Sequence, residues 1–261
     1  MATTRSPAVA GMFYPAAPRE LRTMIHAFLN AAEDSETAPK AVIAPHAGYI
    51  YSGPVAASAY ARLAKARGTV KRVILLGPSH RVGFLGLAAP SADYFATPLG
   101  TIPVDRESLE KVLALPQVQV LDQAHAQEHS LEVHLPFLQE VLGEFTLVPL
   151  VAGDASAQEV AEVLELLWGG PETLIVISTD LSHYHDYHTA QRMDAATSRA
   201  IETLRPEDIG YDQACGRVPL IGLLEVARRR GLHIRTVDLR NSGDTAGPRD
   251  RVVGYGAYVL A

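Results

Sequence analysis

The sequence holds a single cysteine, Cys215, a single tryptophan, and no apolar run near the roughly 20 residues that a membrane helix needs. One cysteine excludes an internal disulfide and any cysteine-rich zinc module. The N-terminal stretch is broken by Pro7, Gly11, Pro15 and Pro18 and has no continuous apolar segment, so it does not read as a signal peptide. The motifs G-x-G-x-x-G, P-loop and G-x-S-x-G are absent, which removes the commonest dinucleotide, nucleotide and serine-hydrolase signatures. Positive charge is in short supply: 23 Lys and Arg face 29 Asp and Glu, for a net charge of −6. Neither nucleic acid nor an anionic membrane is therefore an expected partner. The one like-charge run, Arg228-Arg229-Arg230, closes a predicted helix, where cations suit the dipole. A cytoplasmic location is the expectation.

What is present is ordinary globular material, 48% hydrophobic and 20% charged over 261 residues. No repeat, low-complexity tract or long linker divides it, so one domain over 1–261 is expected. Near-continuous apolar runs at 41–44, 73–76, 146–151 and 174–177 read as strands covered on both faces. Two more strands are expected at 233–239 and 252–260, the last as an edge or antiparallel partner. Helices are expected at 19–32, 54–67, 106–115, 157–167, 190–204 and 219–230. Ser52 caps the second in this reading, with Pro54 in its first turn, and Ser156 caps the fourth. Thr97-Pro98-Leu99-Gly100-Thr101 reads as a turn between short strands. The alternation predicts an α/β fold with a mixed, mainly parallel central sheet and helices on both faces.

Three of the predicted strands run into histidine-bearing loops: Pro45-His46-Ala47-Gly48-Tyr49, Gly77-Pro78-Ser79-His80, and Ser178-Thr179-Asp180-Leu181-Ser182-His183. Ligands of open α/β sheets sit at the C-terminal ends of strands, so neighbouring strands would gather these imidazoles in one crevice. Imidazole suits iron, copper or zinc, or proton transfer near neutral pH. Asp180 either orients an imidazole or caps a turn. Cys215 opens Cys215-Gly216-Arg217 before a predicted helix. It is either a thiolate favoured by the helix terminus and Arg217, hence a ligand or nucleophile, or a small buried hydrophobe.

The cluster Glu128-His129-Ser130-Leu131-Glu132-Val133-His134-Leu135-Pro136 is not a zinc-protease helix. Its histidines stand five apart, whereas ligands on one helix stand at i and i+4. Ser130 is expected to cap a helix with Glu132 in its first turn and Leu131, Leu135 and Leu138 facing the core. Glu128 and His129 then precede the helix and point into the crevice. Tyr49, Tyr51 and Tyr184 flank the site.

Taken in order, these motifs resemble the Memo family, whose prokaryotic members are called AmmeMemoRadiSam system protein B. Gly11-Met12-Phe13-Tyr14-Pro15 and Val253-Gly254-Tyr255 also match, so the resemblance runs nearly end to end. It implies a fold similar to class III extradiol dioxygenases, which hold non-haem Fe(II) with two histidines and a glutamate. In the Memo family the matching trio is two histidines and a cysteine, falling here on His46, His80 and Cys215. The acid/base position falls on His183, with Asp180, Glu128 and His129 completing the candidate catalytic set. A thiolate in place of a carboxylate favours softer metals. One mononuclear ion, iron or copper ahead of zinc, is the implied cofactor. The implied function is a metal-binding redox protein or an oxygenase-like enzyme with a small-molecule substrate. Its alternative is a binding module using the crevice for a phosphotyrosine-type peptide or a small anion; zinc-dependent hydrolysis is a third reading. The system name further implies association with a radical SAM protein and an Ammecr-type protein.

Overall fold

The computed structural model describes residues 2–33 and 37–261. The four apolar runs form strands Ala41–Ala44, Thr173–Ser178, Arg72–Pro78 and Thr146–Ala152, which lie side by side in that order and are all parallel. Nearly every residue in them is buried, because both faces of this part of the sheet are covered. Towards both margins the sheet turns antiparallel. Val252–Leu260 pairs antiparallel with Ala41–Ala44, with Ile234–Asn241 and with the short His183–His185. At the other margin Leu87–Ala89 pairs antiparallel with Thr146–Ala152 and parallel with Val118–Val120. Val252–Leu260 is thus antiparallel as expected but lies inside the sheet and not at its edge. Thr4–Arg5, Tyr94–Thr97 and Gly100–Pro103 make a separate three-stranded sheet, with the expected turn joining the last two.

Helices cover both faces. Ala157–Leu167 has the predicted bounds, and its Ser156 forms a full capping box with Glu159. It packs on Arg217–Arg230, where Gly222 permits close approach: a Cβ there would stand 2.3 Å from Val160. The second helix differs from expectation. It spans Tyr49–Tyr60 with Pro54 inside it, then tightens into a 3₁₀ segment, Ala61–Ala66. Ser52 is no cap, since its hydroxyl donates to the carbonyl of Ala47. Gly48 starts the helix without any side-chain cap, so the sequence carries no local mark of where it begins.

Ser130 is not a cap either. Its hydroxyl donates to the carbonyl of Pro78, and Glu132–His134 is a 3₁₀ turn leading into helix Leu135–Leu142. Leu131, Leu135 and Leu138 do enter the core. Glu132 has a different task from the one expected. Fully buried, its carboxylate pairs with Arg5 and accepts from the N–H groups of Ala8 and Val9 and the hydroxyl of Tyr14. Arg5 also donates to the carbonyls of His125 and Glu128. This ion pair straps the N-terminal segment across the molecule and brings Phe13 against His129, with ring centroids 4.7 Å apart.

Two buried histidines set a pH dependence. His125 Nε2 donates to the carbonyl of Ala88 and His134 is bound to the Tyr60 hydroxyl. Burial lowers their pKa values from 6.5 to about 4 and about 3. Below pH 6.5 the unfolded chain takes up protons that the folded chain refuses, so stability falls as pH drops from 6.5 towards 4. Urea midpoints measured across that interval should decline steadily; a flat profile would contradict the burial of neutral imidazoles.

Candidate metal centre

The strand order builds the site. Because Thr173–Ser178 lies between Ala41–Ala44 and Arg72–Pro78, the loops bearing His46 and His80 flank the loop bearing Asp180. His46 is buried, whereas the His80 side chain remains 30% exposed, so the group opens to solvent on the His80 side. Cys215 arrives just ahead of helix Arg217–Arg230, its backbone N–H donating to the carbonyl of Asp180. Gly216 makes the approach possible, since a Cβ there would stand 2.2 Å from the carbonyl oxygen of Ser178. The thiol sulfur then lies 3.3 Å from His46 Nε2. One ligand atom from each of His46, His80 and Cys215 falls within 4.8 Å of the others.

This trio suits a single metal ion. Tetrahedral ligands at metal distances of about 2.0–2.3 Å stand roughly 3.3–3.8 Å apart, so only a small closure is needed. Each imidazole also has its second nitrogen engaged, as metal-binding histidines do. His46 Nδ1 lies 2.6 Å from Ser178 Oγ, and His80 Nδ1 lies 2.9 Å from Glu128 Oε1. Burial, reinforced by the neighbouring imidazoles, holds the pKa of His46 well below 6.5, so it is neutral, the form that ligates.

Glu128, His129 and His80 form a second cluster of potential ligands. The Glu128 carboxylate already accepts from the backbone N–H groups of His80, His129 and Ser130 as well as from His80 Nδ1. Burial alone would raise its pKa, but the bonds and charge from His80 and the backbone donors outweigh that and hold it at about 2. Glu128 is therefore an anchor for His80. His129 stacks on His80 at 4.7 Å and meets the His46 ring edge-on at 5.5 Å, so it sits against the trio as expected.

His183 stands on a different kind of element from the other two. It lies beyond the end of Thr173–Ser178, on the short strand His183–His185, at an irregularity in the pairing with Val252–Leu260. The residue at that bulge, Tyr184, has φ +62 and a 65% exposed side chain, an uncommon conformation for an aromatic residue. His183 Nδ1 donates to the carbonyl of Leu181 at 2.8 Å. Neither Asp180 nor Glu128 is its partner, since they engage His46 and His80. Asp180 instead accepts the His46 backbone N–H at 2.7 Å, and burial raises its pKa to about 7. The charge of a protonated His183 would be felt at His46.

Cys215 also departs from expectation. Burial, with help from Asp180, raises its thiol to about 12. Arg217 does not offset this: its guanidinium donates to the Ile209 carbonyl and stacks on Tyr211 at 4.4 Å. In metal-free protein at pH 7.5, alkylation of Cys215 by iodoacetamide should be much slower than for a free thiol. Labelling at the rate of glutathione would contradict this environment. Sequence reasoning missed Ser178, the Leu181 carbonyl and Gly216. Of these only Ser178 left a trace, as the polar last residue of an otherwise apolar strand.

A parallel-centred α/β sheet whose strand ends gather two imidazoles and a thiol defines a candidate two-histidine, one-cysteine metal site. The chain belongs to the Memo-like protein family, whose model matches residues 5–259. A MEMO1 family protein of Aquifex aeolicus is 37% identical to it, covering 96% of this chain and 97% of its own length. One from Thermotoga maritima is 36% identical over 98% and 99%, and one from Methanopyrus kandleri 36% over 98% and 98%. Among solved structures, an uncharacterized protein from Escherichia coli K12, JW3007, superposes with a TM-score of 0.56. It covers 85% of this chain and all of its own at 13% identity, a likeness of fold. No helix among the described residues is long and apolar enough to cross a membrane.

Proposed function

We propose that this chain is a mononuclear metal-dependent redox enzyme, oxygenase-like in its chemistry, acting on a small molecule at the His46, His80 and Cys215 centre. Iron or copper held there, in preference to zinc, would supply one-electron redox chemistry and open coordination positions. The observation that supports the reading is the pairing of a converging candidate ligand trio with a further imidazole, His183, near enough for its charge to be felt at His46. The Leu181 carbonyl accepts a hydrogen bond from the Nδ1–H of His183, which leaves a lone pair on Nε2. Burial lowers the pKa of His183, so the ring is neutral at pH 7 and can take a proton from a substrate hydroxyl. Asp180 holds the His46 backbone in place while this happens. The exposed Tyr51 and Tyr184 offer aromatic surface for substrate.

The test is elemental analysis of protein purified without oxygen and without a nickel column. About one iron or copper per chain is expected, with an oxidation state that cycles under mild reductant and air. A chain that takes up neither metal after anaerobic reconstitution, or that holds only redox-silent zinc, would overturn the reading.

A further inference from the structure

We infer that Ser178 is a positioning residue, the relay by which the turn Glu128-His129-Ser130, which engages His80 directly through Glu128, also dictates the nitrogen that His46 presents. The inference rests on reading His46 and His80 as ligands, and it follows from which groups can donate. The Ser178 hydroxyl lies 2.6 Å from the carbonyl oxygen of Ser130. A carbonyl cannot donate, so the hydroxyl proton is committed there. Ser178 Oγ can then only accept from His46 Nδ1, also at 2.6 Å. His46 must carry its proton on Nδ1 and its lone pair on Nε2, the atom facing Cys215.

The other end of the same turn acts on His80. The Glu128 carboxylate, gathered by backbone N–H groups, accepts from His80 Nδ1 at 2.9 Å. The turn is itself tied down, because the Ser130 hydroxyl donates to the Pro78 carbonyl two residues before His80. The two ligands are nevertheless backed unequally. His80 leans on an anion and His46 on a neutral hydroxyl, so His80 is the more electron-rich donor.

The experiment reads tautomers directly, by long-range ¹⁵N–¹H correlation of histidine-labelled, metal-free protein at pH 7.5, with His46→Gln and His80→Gln giving the assignments. Both rings are expected as Nδ1–H tautomers. Ser178→Ala should shift His46 towards Nε2–H, leave His80 unchanged, and weaken Co(II) binding by about 10–100-fold. Ser178→Thr, which restores a hydroxyl, should recover the tautomer and most of the affinity. His46 found as Nε2–H in the wild type overturns the inference with no variant needed. An alanine variant that keeps both tautomer and affinity overturns it as well. Wild-type protein with the expected tautomers but no Co(II) binding would overturn the metal reading and leave the positioning role standing.

Discussion

His46→Ala and Cys215→Ala should leave the purification nearly empty of metal, while His183→Ala keeps the wild-type content and loses oxygen reactivity or turnover. The contrast follows from the geometry. His46 Nε2 and the Cys215 sulfur face each other at 3.3 Å and form with His80 the proposed ligand trio. Losing a hydrogen-bond partner behind a ligand already costs about 10–100-fold in metal affinity, and losing the ligand itself costs more. His183 approaches from another strand with its Nδ1 tied to Leu181, and a proton acceptor must keep its lone pair off the metal. Metal analysis of the three variants needs no substrate. If His183→Ala empties the site as thoroughly as His46→Ala, the centre has four protein ligands, and the proposal of an open, reactive site fails.

The second large effect is on stability. Glu132→Ala should destabilise the fold by about 3–5 kcal/mol, because it strands the buried Arg5 charge. It also leaves the N–H groups of Ala8 and Val9 and the Tyr14 hydroxyl without an acceptor. For a chain of this size that corresponds to a fall in Tm of roughly 6–20 °C. Since the strap seats Phe13 on His129 and Arg5 holds the Glu128 carbonyl, metal affinity should fall with it. Calorimetry of the variant would decide. A loss below about 1 kcal/mol would mean that the N-terminal segment is not anchored as described.

Elements with local signals were legible in the sequence. Ser156 and Glu159 announce a helix through a reciprocal cap, and Ala157–Leu167 has the expected bounds. Val252–Leu260 is long and apolar, and it too has its expected limits. The three-residue strands Leu87–Ala89 and Val118–Val120 went unread, because so short a run has no period to detect. Helix Tyr49–Tyr60 was misplaced because a proline normally marks a helix start, and here it sits a turn inside. At the site, His46 and His80 were readable from their places after apolar strands. The roles of Ser178, Glu128 and Glu132 were not. Each depends on an acceptor or donor that is dozens of residues away in sequence. The thiol of Cys215 was read from a neighbouring cation in sequence, but the fold turns that cation elsewhere.

The interleaved strand order also sets when the centre can exist. Neighbouring strands are spaced about 4.8 Å apart, so Ala41–Ala44 and Arg72–Pro78, with one strand between them, lie about 10 Å apart. The strand that fills that gap, Thr173–Ser178, comes about a hundred residues later and brings Ser178 with it. Cys215 follows later still. A nascent chain that has made both histidines has therefore not yet made the strand that sets their spacing. The trio comes together only after long-range pairing is complete. The candidate centre thus depends on the whole sheet, whose pairing brings three distant stretches of chain to one point.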